Sequence, residues 1–594
     1  MAEATFAPLV ISEFSGGWVT NLDRESDALR PNESPDLENV VFDGQGSFAV
    51  RKGYQLMGNR LTSAGSILRL WTFRRAIIDD EILIRQRAQT LEYYHTGTLQ
   101  WETLPHVGTI TTNTKVGFAN YTSSSDTVDY VYFCDGSGIA LQRWDGAFTM
   151  LDGALAGGEG TITVDSTTGF LSAGTLDVGG TSVTYTGKTA TTFTGCVGTP
   201  VAADNIAIEQ KADNFSAGSG SKPSGNILEV VNSQLAVASK QFVKLSDVDD
   251  FTAWGAGLAT SQGFTGGRIT GLKAKDKKLI VFTPDTIQAM DYEFTGDLTG
   301  FQVRIENIEN TSGYGAKVFT GVTSADGQVF YPASDGTIRQ VVRSDVSALF
   351  DTGSISENIK NTLATYTLSG SAGIFYKGKL LFSVQSDEAS INDIIVVNDL
   401  KYAKKNPSGE AWTKWRIYSN DFAIYGGALY FASSADPNVY RMFTDSDGAD
   451  ITDDDGAAIP WYYSTPQIDF GKPELKWVFY KLVSRGFITQ NSEVTYKILY
   501  DYGVTGEAEQ QFLGSNQDYV LIPAGGSLGE EVIGEGGLDE DSFNGFFPFT
   551  YPTDYGSYDA YNVQLIISGQ TKNEKYKQTR LVLYVEAQDD VMTK

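Results

Sequence analysis

The sequence predicts an all-β fold: a β-propeller body, an inserted small β module and a C-terminal β-sandwich. Three observations carry this. Short apolar, β-branched or aromatic runs recur along the chain, separated by Gly, Asp or Asn turns. The composition suits short strands and tight turns, with 63 Gly, 30 Tyr and 33 Phe among 594 residues. The recurring units are mostly spaced on the order of 40–50 residues, the size of a propeller blade. A set of stacked β-sandwiches is the competing architecture.

Residues 1–60 read as an extended arm ending in a hairpin. Gly16-Gly17-Trp18 leads through Asn21-Leu22 and Pro31 to Asn39-Val40-Val41-Phe42, a Gly-containing turn, and Arg51-Lys52-Gly53. Residues 61–153 hold the first blades, with Ile82-Leu83-Ile84, Leu91-Glu92-Tyr93-Tyr94 and Tyr130-Val131-Tyr132-Phe133 as strand cores. Residues 154–215, dominated by Thr and Gly, read as a separately folded insert, followed by the Gly/Ser linker at 216–221. Residues 222–460 hold the remaining blades, five runs centred near Val237, Val281, Phe330, Leu381 and Tyr430. Residues 461–594 read as the sandwich, carrying a long acidic and aromatic loop over about 524–560, whose aromatics either contact a partner or fold back on their own sandwich.

The formal net charge of −28 excludes a broad basic face for gripping nucleic acid. An acidic wall repels phosphate, which suits a passage along which DNA slides unbound. The two cysteines, Cys134 and Cys196, are far apart and imply no disulfide framework, as in a reducing compartment. No basic segment leading into an apolar run opens the sequence, and no stretch approaches the roughly 18 apolar residues of a membrane span. The expectation is a soluble protein synthesised in the cytoplasm without membrane insertion.

A search for chemistry finds little. The only histidines, His95 and His106, lie in no nucleophile-elbow or zinc context, and read as ordinary strand or loop residues. No Cys-x-x-Cys pair, Walker loop or dinucleotide fingerprint occurs. The acidic run at Asp445, Asp447, Asp450 and Asp453-Asp454-Asp455 departs from the EF-hand order and reads as an acidic hairpin loop. We therefore expect no catalytic residue, cofactor or metal. The gap in that argument is a pair of carboxylates, since two at the right separation suffice for glycoside hydrolysis.

The arm carries a resemblance. Gly16-Gly17, Asn21-Leu22, Pro31, Asn39 with Phe42, Gly46 and Arg51-Lys52-Gly53 resemble the N-terminal signature of bacteriophage tail proteins of the nozzle and hub type, the tail tubular protein B family. Phe242-Val243-Lys244-Leu245-Ser246-Asp247 through Trp254, the run Leu279-Ile280-Val281-Phe282, and Ser334-Asp335-Gly336 are similar to that family's blades. The resemblance implies a virion structural protein with a propeller body, made in the host cytoplasm and built into a homo-oligomeric ring, a hexamer by family. Viral DNA would pass through it without specific binding. Its partners would be other tail proteins: an adaptor or tail tube, and tail fibres. Contacts with neighbours are expected at Trp18, Arg51, Phe546, Phe547, Phe549 and Tyr551. The alternative is a tail-associated glycan-binding or depolymerase protein, with Trp254, Trp412 and Trp415 stacking on sugars, although these three read first as blade-closing aromatics.

Overall fold

The computed structural model describes residues 7–22, 28–43, 46–62, 65–122, 128–255, 262–294, 301–308, 312–343, 350–470, 475–489, 494–500, 510–513, 546–573 and 575–587. Among the described residues the architecture is all-β, with only short helical turns such as Lys360–Thr365 and Leu400–Ala403. Among the described residues seven small antiparallel sheets follow one another along the chain, each built mainly as a meander of neighbouring strands. Their first strands are Ile67–Arg75, Gly117–Thr122, Ile227–Val231, Gly271–Lys275, Thr323–Ala325, Thr367–Tyr376 and Ser419–Tyr425.

The last five sheets share one device between their first two strands. Each uses a two-residue turn with both residues at positive φ: Asn232-Ser233, Asp276-Lys277, Asp326-Gly327, Lys377-Gly378 and Gly426-Gly427. Such turns match the right-handed twist of the strands they join. Asn, Asp and Gly tolerate that backbone most readily, so the repeated turn is written locally in the sequence.

Each sheet is apolar on both faces, and each face is buried against the next sheet. Phe73, Tyr93 and Ile84 of the first share a core with Phe118 and Phe133 of the second. Tyr132 and Leu141 of the second meet Leu235 and Val237 of the third. The third packs on the fourth through Val243 and Val281, and the fourth on the fifth through Ile280 and Tyr331. Phe330 meets Phe382, Leu381 meets Phe431, and Tyr430 meets Leu70, which returns to the first sheet. The seven apolar interfaces thus form a closed cycle. A strand between two sheets has no solvent face, which is why the central strands, such as Asp129–Cys134 and Ile394–Asp399, are buried throughout.

The Thr/Gly-rich module consists of two small sheets around Ile162, Phe170, Leu176, Phe193 and Ile208. Its strands begin at Phe148–Met150, ahead of the expected boundary, and end at Ala207–Gln210. Its ends meet where the Gln210 amide donates to the Ala147 carbonyl at 2.8 Å.

The C-terminal segment forms two further sheets with a shared core of Trp461, Tyr463, Phe479, Tyr496, Leu565 and Leu583. These sheets are not built from residues 461–594 alone. Ala7–Ile11 pairs with Tyr576–Ala587, the hairpin Val40–Phe42 and Phe48–Val50 extends the same sheet, and Leu37–Glu38 pairs with Trp461–Ser464. Tyr54–Leu56 then crosses to the ring and becomes the fourth strand of the seventh sheet, against Val439–Met442. The N-terminal segment is therefore part of both bodies.

The expected loop over 524–560 is corrected in its second half. Phe546–Ala560 is a strand paired antiparallel along Trp477–Thr489. Residues 524–545 lie outside the described residues.

Candidate functional site

Two features stand out from the scaffold: the clasp that fixes the arm, and a cavity where the seven first strands converge.

The clasp begins at Gly16-Gly17. A Cβ on Gly16 would stand 2.6 Å from the Asn32 carbonyl oxygen, and Gly17 has φ +91° against the backbone of Ala411 and Trp412. Neither position admits a side chain. Trp18, next in line, is 2% exposed, with the Lys414 ammonium 5.1 Å from its ring. Asn39 has φ 57°; its side-chain amide donates to the Pro460 carbonyl, and its oxygen accepts from Arg51 Nε and the Arg416 amide.

Arg51 places both terminal nitrogens on Asp454, at 2.8 and 2.6 Å, and is itself 2% exposed. Lys52 pairs with Asp450 and Arg60 with Asp455. The acidic run read as a hairpin loop is thus the counter-charge of the arm. Among the described residues no cluster of three or more metal-ligating groups occurs. Sequence reasoning missed the pairing, since opposite charges on segments some four hundred residues apart carry no register.

Trp18 and Arg51 were expected at contacts with neighbouring molecules. Both are instead buried within one chain, so they present no surface to a partner. Phe546, Phe547, Phe549 and Tyr551 lie on the strand Phe546–Ala560. Trp254, Trp412 and Trp415, read first as blade-closing aromatics and only in the alternative as sugar-stacking faces, are 1%, 0% and 0% exposed. The Trp412 and Trp415 indole N–H groups donate to the carbonyls of Ile355 and Val40. They pack the interior because each sheet needs apolar bulk against its neighbours.

The central cavity, of about 220 Å³, receives residues from all seven sheets or the links between them. Its charged lining comprises Arg69, Asp421, Glu229 and Lys273. Both carboxylates are taken. Asp421 accepts from Arg69 at 2.7 Å and from the Leu70 amide, and Glu229 lies 3.3 Å from Lys273 and accepts from the Ala274 amide. Arg69 also donates to the Val116 carbonyl and lies over the Phe319 ring. Beside this wall, the Lys115 ammonium stands 3.4 Å from both Thr320 Oγ1 and the Gly370 carbonyl. Burial pushes its pKa down to about 8.

Three carboxyls elsewhere are held well above their usual range, mainly by burial: Asp145, Glu209 and Glu410, each at about 7. Asp145 accepts from the Ala147 amide, and its second oxygen is buried without a partner. Glu209 accepts from the Tyr93 hydroxyl. Glu410 accepts from the amides of Glu357 and Asn358, at the turn on which the arm residues Thr20 and Asn21 are hydrogen-bonded. None of the three lines the central cavity. His95 and His106 sit where burial lowers their pKa; His95 Nδ1 accepts from the Thr98 amide.

No family model matches the chain, and no curated protein does. Among solved structures, the computationally designed Ika8 protein is similar at 13% identity and a TM-score of 0.32, covering 65% of this chain and 99% of its own. The extracellular domain of a one-component system from B. thetaiotaomicron is similar at 8% identity and a TM-score of 0.25, covering 83% of this chain and 76% of its own. At these scores the likenesses carry no argument about this chain.

Proposed function

We propose that this chain is a structural subunit of a bacteriophage tail, of the nozzle or hub type, with a seven-bladed β-propeller and a C-terminal β-sandwich. The observation that carries the reading is the arm. The residues of the resemblance, Gly16-Gly17, Asn39 and Arg51-Lys52-Gly53, are those whose backbone or side chains the fold needs at their positions. The propeller assignment is supported by the closed cycle of seven apolar interfaces and by the fourth strand of the last sheet coming from the arm.

A subunit of this kind works by being rigid and by assembling. The arm joins the two bodies through main-chain ladders and a buried ion pair, so load on one reaches the other. DNA would pass between copies rather than through one. A cavity of about 220 Å³ is below the roughly 300–1,000 Å³ of small-molecule pockets. With a net charge of −28, acidic walls would keep the phosphate backbone from sticking. Contacts with adaptor, tail tube or fibre proteins belong to the same reading.

Negative-stain imaging of the purified chain tests it. A closed ring with a central pore is expected, and incorporation of the chain into virions follows. A monodisperse monomer that never enters virions overturns the proposal.

A further inference from the structure

We propose that a cavity at the seam between the first and seventh sheets binds a neutral saccharide, held by Tyr425, Arg441 and Asp79. The inference does not rest on the tail reading. It concerns one face of a single chain, and its failure leaves that reading standing.

The cavity measures about 810 Å³, within the roughly 300–1,000 Å³ of small-molecule pockets. It lies where the turn between Ile67–Arg75 and Asp80–Arg87 meets the turn between Ser419–Tyr425 and Ala428–Ser433. Glu81 ties the two turns together: one oxygen accepts from Arg74 at 2.7 Å, the other from the Gly426 amide at 2.8 Å. Asp80 pairs with Arg75. Those contacts build the wall. Asp79 and Arg441 also line the cavity, and neither has an ion-pair partner among the described residues. Asp79 is exposed in its turn at φ 51°. Arg441 donates to the Tyr430 hydroxyl, and its Nε is buried without a partner.

The lining selects the ligand class. Its charges balance: Arg74, Arg441 and the Arg75 paired to Asp80 offset Asp79, Asp80 and Glu81. Neither an anion nor a cation is favoured. A hydrocarbon would strip water from Asp79 and Arg441 and return no hydrogen bond. A sugar hydroxyl both donates and accepts, so neighbouring hydroxyls of one ring satisfy a carboxylate and a guanidinium together. Tyr425 supplies the aromatic surface on which the apolar side of a pyranose packs. Its ring is half-buried in the lining and meets Tyr430 at 63°, without stacking on it. Burial above all pushes the Tyr425 hydroxyl up to about 12, so at pH 7 it is a neutral donor and acceptor. The volume admits a disaccharide with residual water.

Screening the full chain against immobilised gluco-, galacto- and manno-oligosaccharides, beside uronate-containing ones, tests this. Saturable binding to a neutral oligosaccharide is expected. Calorimetric titration with that oligosaccharide should then show at least tenfold weaker binding by Tyr425→Ala. Ala76→Trp should weaken it as much, because Ala76 is exposed in the lining and the added ring fills the cavity without removing a buried contact. Val201→Ser, on the inserted module and 77% exposed, should leave the affinity unchanged. No saturable binding to any neutral probe, binding to the uronate-containing probes alone, or undiminished binding by either cavity variant overturns the proposal. Should Tyr425→Ala not fold, Ala76→Trp decides alone.

Discussion

Arg51 and Asp454 form a two-point ion pair in the interior, 2.8 and 2.6 Å, with the third guanidinium nitrogen on the Asn39 side chain at 2.7 Å. The partners are 403 residues apart in sequence. The pair fixes the arm just before it enters the seventh sheet, and so closes the ring.

Breaking that pair from one side leaves a buried charge. Asp454→Asn is expected to destabilise by about 3–5 kcal/mol, the usual cost of removing one partner of a buried pair. Arg51→Lys should fail to restore stability, because a lysine cannot span both carboxylate oxygens and Asn39 together. Chemical denaturation of the three proteins, compared at the same pH, checks both outcomes.

Gly53 lies where the arm crosses the acidic hairpin. A Cβ there would fall 1.7 Å from the Asp453 carbonyl oxygen, which is backbone and must move. Gly53→Ala should therefore destabilise by about 3 kcal/mol or more, in the range of severe strain and packing defects. Gly353→Ala, where a Cβ meets nothing within 4 Å, should cost little. Thermal melts of the two variants separate a specific collision from a general intolerance of alanine.

Asp145 predicts a pH effect with a definite sign. Burial raises its carboxyl from 3.8 to about 7, so the folded protein binds this proton more tightly than the unfolded chain. The stability it contributes is present below pH ~4 and is lost as pH rises through about 7. Asp145→Asn should remove that loss, gaining on the order of 2–4 kcal/mol above pH 7 and little below pH 4. Denaturation midpoints across pH 4–8 test this; a gain independent of pH would contradict it.

The Thr/Gly-rich module has its own core, and its ends meet at the Gln210–Ala147 hydrogen bond. Replacing residues 148–210 with a short Gly-Ser linker should leave the seven sheets folded. The measurable cost is the loss of the Tyr93–Glu209 and Trp144–Gln210 hydrogen bonds, each about 1 kcal/mol. Circular dichroism and a cooperative melt of the excised protein decide; an unfolded product would show that the module is integral to the second sheet.

Much of the fold is legible in the sequence because it is local. Strand runs such as Leu279-Ile280-Val281-Phe282 are apolar on both faces, and turns such as Asp326-Gly327 carry the residues that positive φ requires. Alternation, β-branching and turn chemistry act over a few residues, so these units are readable one at a time, as is the Thr/Gly composition of the insert.

What only the tertiary structure decided is where distant segments meet. The arm reads as a free extension, because nothing within residues 7–60 states that its strands will be shared between Tyr576–Ala587, Trp461–Ser464 and Val439–Met442. Arg51 reads as a contact for a neighbouring molecule until Asp454 is beside it. Main-chain pairing and charge carry no address: any strand edge or any carboxylate is chemically eligible, and the choice falls to the packing that closes the ring.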